Sequence, residues 1–268
     1  MPSWLIWLAA SAAAIMLIVI VVFALFQRRF IYYPSRAIVE PDFAGVSAVR
    51  LTTQDGESLI AWWTPPQPGK PVLLFFDGNA LRPHTLSARW RRVIDHGAGM
   101  LAVFYRGFSG STGFPTEAGL NADADAGYDW LIANGHGAAD IVIHGYSLGT
   151  GVAVRLASAV SARALVLEAP YTSIADAVRR YIRFIPDFIV RDKFESDDLI
   201  ARVNMPVLIV QGDLDRIVPF AHGRELFERA NEPKTFVQVQ GAGHADLVRK
   251  GLYEHVWSFL DRPLSKGS

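Results

Sequence analysis

The chain has no cysteine among its 268 residues. A protein without thiols has no disulfide framework, no cysteine nucleophile and no thiolate metal site, although this absence is neutral about cellular compartment. Net charge is also missing, because 26 basic residues balance 26 acidic residues. Nucleic-acid binding needs a basic face, so we expect no nucleic-acid partner. The length suits one domain of moderate size.

Residues 4–26 contain no charged residue, no proline and no glycine. As a helix this segment would be ~34 Å long, enough to cross a bilayer core of ~30 Å, and it has no polar stripe like that of an amphipathic core helix. We predict a transmembrane anchor over residues 1–27 and one folded domain over residues 28–268. A cleaved signal peptide is the alternative, but it would have a basic start and a shorter apolar run.

The basic residues near this segment predict its orientation. Arg28, Arg29 and Arg36 follow the apolar run, and no lysine or arginine precedes it in the sequence. By the positive-inside rule, the remainder of the chain would face the cytoplasm. The expectation is a single-pass membrane protein whose folded domain is cytoplasmic.

After residue 40, short aliphatic runs alternate with helical stretches. Strands are predicted at 47–52, 58–63, 71–76, 100–105, 140–145, 162–168, 205–211 and 235–240, and helices at 83–96, 117–133, 148–159, 221–230 and 245–260. The first two strands flank a hairpin-type turn at residues 54–57, so they should be antiparallel. The later, nearly continuous apolar runs are typical of parallel strands that are buried on both faces. We predict an α/β fold with a mostly parallel eight-stranded sheet, and an insertion without a strand at residues 169–204.

A serine between glycines follows the fifth predicted strand, in the stretch GYSLG at residues 145–149. Small residues two positions before and after a serine permit a sharp strand-to-helix turn that lifts the hydroxyl of Ser147 out of the sheet. The backbone N–H of Leu148 would then face a developing oxyanion. This context predicts a catalytic Ser147. The alternative is a structural turn that contains an incidental serine.

A serine nucleophile needs a base, and the base needs an orienting acid. Asp213 and Asp215 follow the seventh predicted strand, and His244 lies in a glycine-flanked loop after the eighth. The order serine, aspartate, histidine is the one expected for this sheet topology, and loops at the carboxyl ends of parallel strands commonly bind ligands. We predict His244 as the base. His144, on the strand before the serine, is predicted to have a packing or supporting role.

These stretches also carry a family resemblance. GYSLG, GDLDRIVP and GAGHAD together resemble the α/β-hydrolase superfamily. With FFDGNA, YRGFSGSTG, APYTS and RDKFES, the chain more narrowly resembles Bem46-type proteins and the α/β-hydrolase domain-containing proteins 13 and 17, which are membrane-associated serine hydrolases. The resemblance covers about residues 31–260. It implies an α/β-hydrolase fold, in which residues 169–204 form a short cap.

The resemblance implies particular roles for several residues. The acid would be Asp215, the last aspartate of the G-x-x-D-x-x-V-P stretch, with Asp213 second and Glu168 a distant third. The loop after the third strand would contribute the second oxyanion donor, the backbone N–H of Asn79. The chain departs from the family at Asp77, where a histidine is usual.

A carboxylate at position 77 is unfavourable beside a site that stabilises negative charge, unless it points away, is protonated or pairs with a base. Arg82 and Arg106 are candidate partners. The benign interpretation is that Asp77 caps the following helix, because aspartate is a good N-cap residue.

The expected function is cleavage of an acyl ester or thioester through an acyl-enzyme, with no metal or organic cofactor. An acyl-containing small molecule or a lipid-linked substrate is expected, and the apolar residues of the cap would form either an acyl pocket or ordinary core packing. The alternatives are a catalytically weak scaffold, or a peptidase or acyltransferase with the same triad. The sequence predicts no oligomeric state.

Overall fold

A computed structural model of the chain describes residues 2–35, 37–80, 83–180, 182 and 184–261. The strands are β1 (Ser47–Thr52), β2 (Ser58–Thr64), β3 (Val72–Phe76), β4 (Gly99–Val103), β5 (Ile141–Tyr146), β6 (Ala164–Glu168), β7 (Val207–Gly212) and β8 (Lys234–Val239). The helices are α1 (Ser3–Ile31), α2 (Pro83–Asp95), α3 (Glu117–Ala133), α4 (Leu148–Ala157), α5 (Ile174–Arg179), α6 (Ser196–Leu199), α7 (Phe220–Arg229) and α8 (Leu252–Leu260).

The strands form a single sheet in the order β1-β2-β4-β3-β5-β6-β7-β8. β2 pairs antiparallel with β1 and β4, and every later pair is parallel. Every residue of β3, β4, β6 and β7 is buried, as the continuous apolar runs predict for strands covered on both faces. The predicted α/β-hydrolase fold with a mostly parallel eight-stranded sheet is confirmed.

Two adjacent tryptophans of β2 show how both faces are covered. Successive side chains of a strand point to opposite faces of its sheet. The ring of Trp62 lies 6.5 Å from that of Trp90 on α2, whereas the ring of Trp63 lies 5.2 Å from that of Trp130 on α3. α2 and α3 therefore cover opposite faces of the sheet.

Helix α1 projects away from this domain along most of its length. Only 6% of its most apolar 18-residue window is buried, and the mean hydropathy of that window is 2.9. A core helix of this composition would be largely covered by the protein, so α1 is not one. By length and composition the helix can cross a membrane. Its carboxyl end contacts the domain through Phe23, Gln27 and Ile31, which are buried.

One predicted helix is shorter than expected, and the strandless insertion is as predicted. The helix predicted at 245–260 begins only at Leu252, because Gly251 has a left-handed φ of 94° and the chain before it forms turns. The insertion at residues 169–204 has no strand among its described residues. It consists of α5, α6 and two short 3₁₀ turns at Asp187–Ile189 and Ile200–Arg202. This insertion is called the cap below.

Candidate active site

Ser147 stands at a strained turn between β5 and α4. Its φ of 49° and ψ of −119° are sterically unfavourable for a residue with a side chain. The neighbouring glycines explain how the turn fits, because a Cβ at Gly145 would overlap the carbonyl oxygen of Gly149, and one at Gly149 would overlap that of Phe76. The Ser147 N–H donates to the carbonyl oxygen of Glu168 at 2.9 Å, which ties the turn to β6.

The structure brings three predicted residues into one hydrogen-bonded chain. Nε2 of His244 lies 2.9 Å from Oγ of Ser147, and Nδ1 of His244 lies 2.8 Å from Oδ2 of Asp215. The three residues come from the ends of β5, β7 and β8, which are widely separated in sequence but lie along the same edge of the sheet. This geometry allows the imidazole to accept the hydroxyl proton while the carboxylate stabilises the positive ring.

Asp215 is held rigidly in this arrangement. Its Oδ1 accepts hydrogen bonds from the N–H groups of Ile217 and Val218, both at 2.8 Å, and Gln211 donates to Oδ2 at 3.3 Å. The runner-up acid, Asp213, instead accepts from the N–H of Gly241 at 2.7 Å. Asp213 therefore supports a turn, and Asp215 is the carboxylate that contacts the histidine.

The two predicted oxyanion donors line the same cavity as Ser147. Leu148 is the first residue of α4, so its N–H has no acceptor within the helix. The carbonyl oxygen of Asn79 accepts a hydrogen bond from the N–H of Tyr33 at 3.0 Å, which holds the loop after β3 beside the end of α1. The assignment of these two N–H groups to an oxyanion remains a prediction.

Asp77 is the first residue of this loop, and it does not cap the next helix. It precedes Pro83, the first residue of α2, by six positions, and its Oδ1 accepts instead from the N–H of Gly78 at 2.8 Å. Burial raises the pKa of the Asp77 carboxyl to about 6, against the opposing effect of the Arg89 guanidinium. The side chain is thus a weaker acid than an exposed aspartate.

The partners suggested for Asp77 by the sequence also need correction. Arg106 donates instead to Asp123 and Asp55, at 2.8 and 2.7 Å. Arg82 lies outside the described residues. Among the described residues, Arg89 of α2 is a cation whose charge lowers the pKa of Asp77, and no sequence pattern indicated it.

Arg89 also pairs with Glu168, the third candidate acid. Nη2 of Arg89 lies 2.7 Å from Oε2 of Glu168, and both side chains are buried. Burial raises the pKa of Glu168, but Arg89 and the neighbouring His144 outweigh it and the net pKa lies below its usual value. His144 itself is fully buried and packs edge-on against Phe75, as its predicted packing role requires. Glu168 is therefore a buried ion-pair residue rather than a solvated carboxylate.

A cavity of about 620 Å³ opens at Ser147, and its walls are mainly apolar. One wall comes from the cap and another from α1, the segment expected to be only an anchor. Sequence reasoning missed this second wall because it depends on how α1 sits against the domain. It also missed Tyr146, whose hydroxyl donates to the carbonyl oxygen of His244 at 3.2 Å.

Comparison with known proteins adds relatives of similar length. The chain is 38% identical over 229 residues to an uncharacterised protein of Mycobacterium tuberculosis, covering 82% of this chain and 81% of the relative. It is 32% identical over 205 residues to human α/β-hydrolase domain-containing protein 17B, covering 73% of this chain and 68% of the relative. No family model matches the chain.

Solved structures share the fold at low sequence identity. An esterase of Pyrococcus furiosus superposes with a TM-score of 0.69 at 19% identity, covering 88% of this chain and 99% of its own. Est1E of Butyrivibrio proteoclasticus with bound ferulic acid superposes with a TM-score of 0.63 at 19% identity, covering 80% of this chain and 100% of its own. These likenesses establish the architecture.

Proposed function

The chain belongs to the α/β-hydrolase superfamily, and from this premise we propose that it is a serine hydrolase that cleaves an acyl ester or thioester. The observation that carries the proposal is the hydrogen-bonded chain from Ser147 through His244 to Asp215, with links of 2.9 and 2.8 Å. The superfamily hosts many chemistries, so the argument rests on this site rather than on the fold. The esterase activity named for the Pyrococcus furiosus neighbour agrees with it.

The mechanism follows from the positions of these groups. His244 removes the proton of Ser147 as the hydroxyl oxygen attacks the acyl carbonyl carbon, and Asp215 orients the imidazole and stabilises its protonated form. The N–H groups of Leu148 and Asn79 stabilise the tetrahedral oxyanion. His244 then protonates the leaving group. Water, activated by His244, hydrolyses the acyl-enzyme and regenerates the free serine.

Covalent labelling tests this assignment directly. The purified full chain should react with a fluorophosphonate probe, which reports an activated serine. Ser147→Ala and His244→Ala should abolish labelling, and Ser147→Ala should lower the hydrolysis rate of p-nitrophenyl butyrate by ~10⁴-fold or more. Undiminished turnover by Ser147→Ala would overturn the assignment.

Absence of labelling in a protein shown to be folded would favour the catalytically weak scaffold, for which the buried Asp77 carboxyl is the supporting observation. Asp77→His would then be the informative variant, because it restores the residue usual in similar hydrolases. Recovery of labelling would identify the carboxyl as the cause of inactivity, and continued inactivity would support a binding role.

Membrane attachment is a separate part of the proposal, in which α1 spans the bilayer and the folded domain faces the cytoplasm. Its support is the length and apolar composition of α1 together with Arg28 and Arg29 at its end. The full chain should stay with membranes through an alkaline carbonate wash. A carboxyl-terminal tag should be digested by protease in inside-out vesicles and protected in right-side-out vesicles, and the reverse pattern would contradict the orientation.

A further inference from the structure

The cavity at Ser147 extends along the apolar helix rather than into the folded domain alone. Its volume of about 620 Å³ lies within the usual range of ~300–1,000 Å³ for small-molecule sites. α1 contributes Ile18, Val19, Val22 and Phe23 to one wall, and the cap contributes Ile174, Ala177, Val178 and Ile182 to another. Of the described residues that line the cavity, none carries a charge. Such a lining suits a hydrocarbon chain.

The wall formed by α1 is long. The two pairs Ile18 and Val22, and Val19 and Phe23, are each spaced four residues apart, so they follow one another along a single face of the helix. From Ile31 back to Ile18 the helix rises ~20 Å. A short acyl group bound to Ser147 would leave most of this wall unoccupied, whereas a long acyl chain could lie along it.

Specific polar contacts hold α1 against the cap. The buried amide of Gln27 donates to the carbonyl oxygen of Ile189 at 2.9 Å and accepts from the N–H of Arg191 at 2.7 Å. Arg28 donates two hydrogen bonds to Asp192, at 2.8 and 3.1 Å. Gln27 and Asp192 are buried, and buried polar groups that are paired fix geometry because misalignment leaves them unsatisfied. We call these contacts, made by Gln27 and Arg28 to residues 189–192, the polar collar.

The polar collar marks where a membrane surface would lie. The charges of Arg28 and Arg29 lie in the collar and just after it, and the uncharged segment of α1 lies on its other side. Phe188 of the cap is 84% exposed beside the collar, which is unusual for phenylalanine in water but favourable at the acyl boundary of a bilayer. Ile18 lies ~12 Å from Phe26 along the helix, so the cavity would reach well into one leaflet.

From these observations we propose that α1 forms one wall of the substrate pocket, and that this pocket takes the long acyl chain of a bilayer lipid ester directly from the membrane. The inference rests on the proposed hydrolase function and specifies its substrate class. Ile18 and Val22 are largely exposed to whatever surrounds α1. In a bilayer those surroundings are lipid tails, so an acyl chain can enter sideways without crossing water, and its carbonyl can reach Ser147 through the cavity that α1 and Ser147 both line.

Val21 and Val22 offer a matched pair for testing the wall. They are neighbours of one residue type with almost equal exposure, 46% and 44%, but only Val22 lines the cavity. Full-length variants Val22→Trp and Val21→Trp should be compared with the unmodified chain in phosphatidylcholine vesicles, using p-nitrophenyl palmitate and p-nitrophenyl butyrate. Val22→Trp should lower kcat/KM for the palmitate by ~10-fold or more. Its effect on the butyrate should be smaller than its effect on the palmitate, because a short acyl group occupies less of the wall, and Val21→Trp should change neither rate.

The contrary results are distinguishable from failure of the hydrolase assignment. Suppose that the butyrate is hydrolysed through Ser147 but Val22→Trp and Val21→Trp have the same kcat/KM for the palmitate. The proposal that α1 forms a pocket wall is then wrong, and the hydrolase assignment is unaffected. If neither ester is hydrolysed, binding of a palmitate analogue still tests the pocket. A diazirine-bearing palmitate analogue, photolysed with the Ser147→Ala protein in the same vesicles, should cross-link to residues 18–23 and 174–182. Cross-links elsewhere only, or none, would overturn the pocket.

A further experiment tests whether the acyl chain comes from a lipid or from an acylated protein. The lipid-ester proposal predicts that the protein releases palmitate from a monoacylglycerol carried in the vesicles, and that Val22→Trp suppresses this release. Turnover of a soluble S-palmitoyl peptide without turnover of the monoacylglycerol would overturn the lipid ester as substrate and point to acylated protein.

Discussion

At the scale of single residues, Arg89 has no role in the proposed mechanism, but it stabilises the structure around the site. It lies buried beside Glu168, with Nη2 of Arg89 2.7 Å from Oε2, and its guanidinium stacks over the rings of Phe75 and Tyr146 at 4.8 and 5.1 Å. Tyr146 directly precedes the proposed nucleophile. A buried ion pair is costly to break, because the remaining charge loses its partner without regaining water.

We predict that Arg89→Met lowers the free energy of unfolding by about 3–5 kcal/mol, as expected when a buried carboxylate is left unpaired. The double variant Arg89→Met/Glu168→Leu removes both charges and should recover most of that loss. Chemical denaturation of the three proteins in the same detergent measures the difference. A double variant as unstable as the single one would show that packing of the guanidinium over the rings, rather than its charge, is what matters.

At the scale of secondary structure, two glycines near the site, one in the turn between β5 and α4 and one after β8, differ in the room they leave for a side chain. Gly149 has no room for a Cβ because the backbone of β3 passes against it, at Phe76 and Asp77. Gly243, beside His244, is also near the site, but a Cβ there would meet its nearest neighbour, a carboxylate oxygen of Asp246, at 3.8 Å. An added methyl group should therefore be disruptive at Gly149 and tolerated at Gly243.

We predict that Gly149→Ala destabilises the protein by about 1–3 kcal/mol or more, because backbone must move to admit the methyl group. It should also abolish fluorophosphonate labelling through displacement of Ser147. Gly243→Ala should change the free energy of unfolding by no more than about 0.5 kcal/mol, as expected for a tolerated substitution. It should also keep fluorophosphonate labelling. Equal behaviour of the two variants, measured by thermal unfolding and probe labelling, would contradict this account of the turn.

Local patterns accounted for the elements that the sequence predicted well. Continuous apolar runs indicate the buried strands, and the five residues from Gly145 to Gly149 are enough to predict the turn at Ser147. The errors arose where the outcome depended on distant or detailed geometry. The contact of Gln27 with Ile189 joins residues 162 apart in sequence, and no local pattern indicates that an apolar helix will dock on the cap. The late start of α8 depends on the left-handed Gly251.

For the whole molecule, the buried Asp77 couples stability to pH. Burial raises the pKa of this carboxyl to about 6, whereas an aspartate in an unfolded chain titrates near ~3.9. Between these values the folded protein binds more protons at this site than the unfolded protein does. The contribution of Asp77 to stability is therefore fully present below about pH 4 and is lost as the pH rises through about 6.

The Asp77→Asn variant isolates this contribution, because the amide keeps the shape of the carboxyl and does not ionise. We predict that the variant and the unmodified chain have similar unfolding free energies near pH 4. The variant should become more stable than the unmodified chain by up to about 3 kcal/mol near pH 7, since ~2 units of pKa correspond to that difference. Urea unfolding at both pH values measures it. A stability difference that does not change with pH would mean that folding leaves the pKa of Asp77 unshifted, so that its carboxylate is charged at neutral pH beside the proposed oxyanion donors.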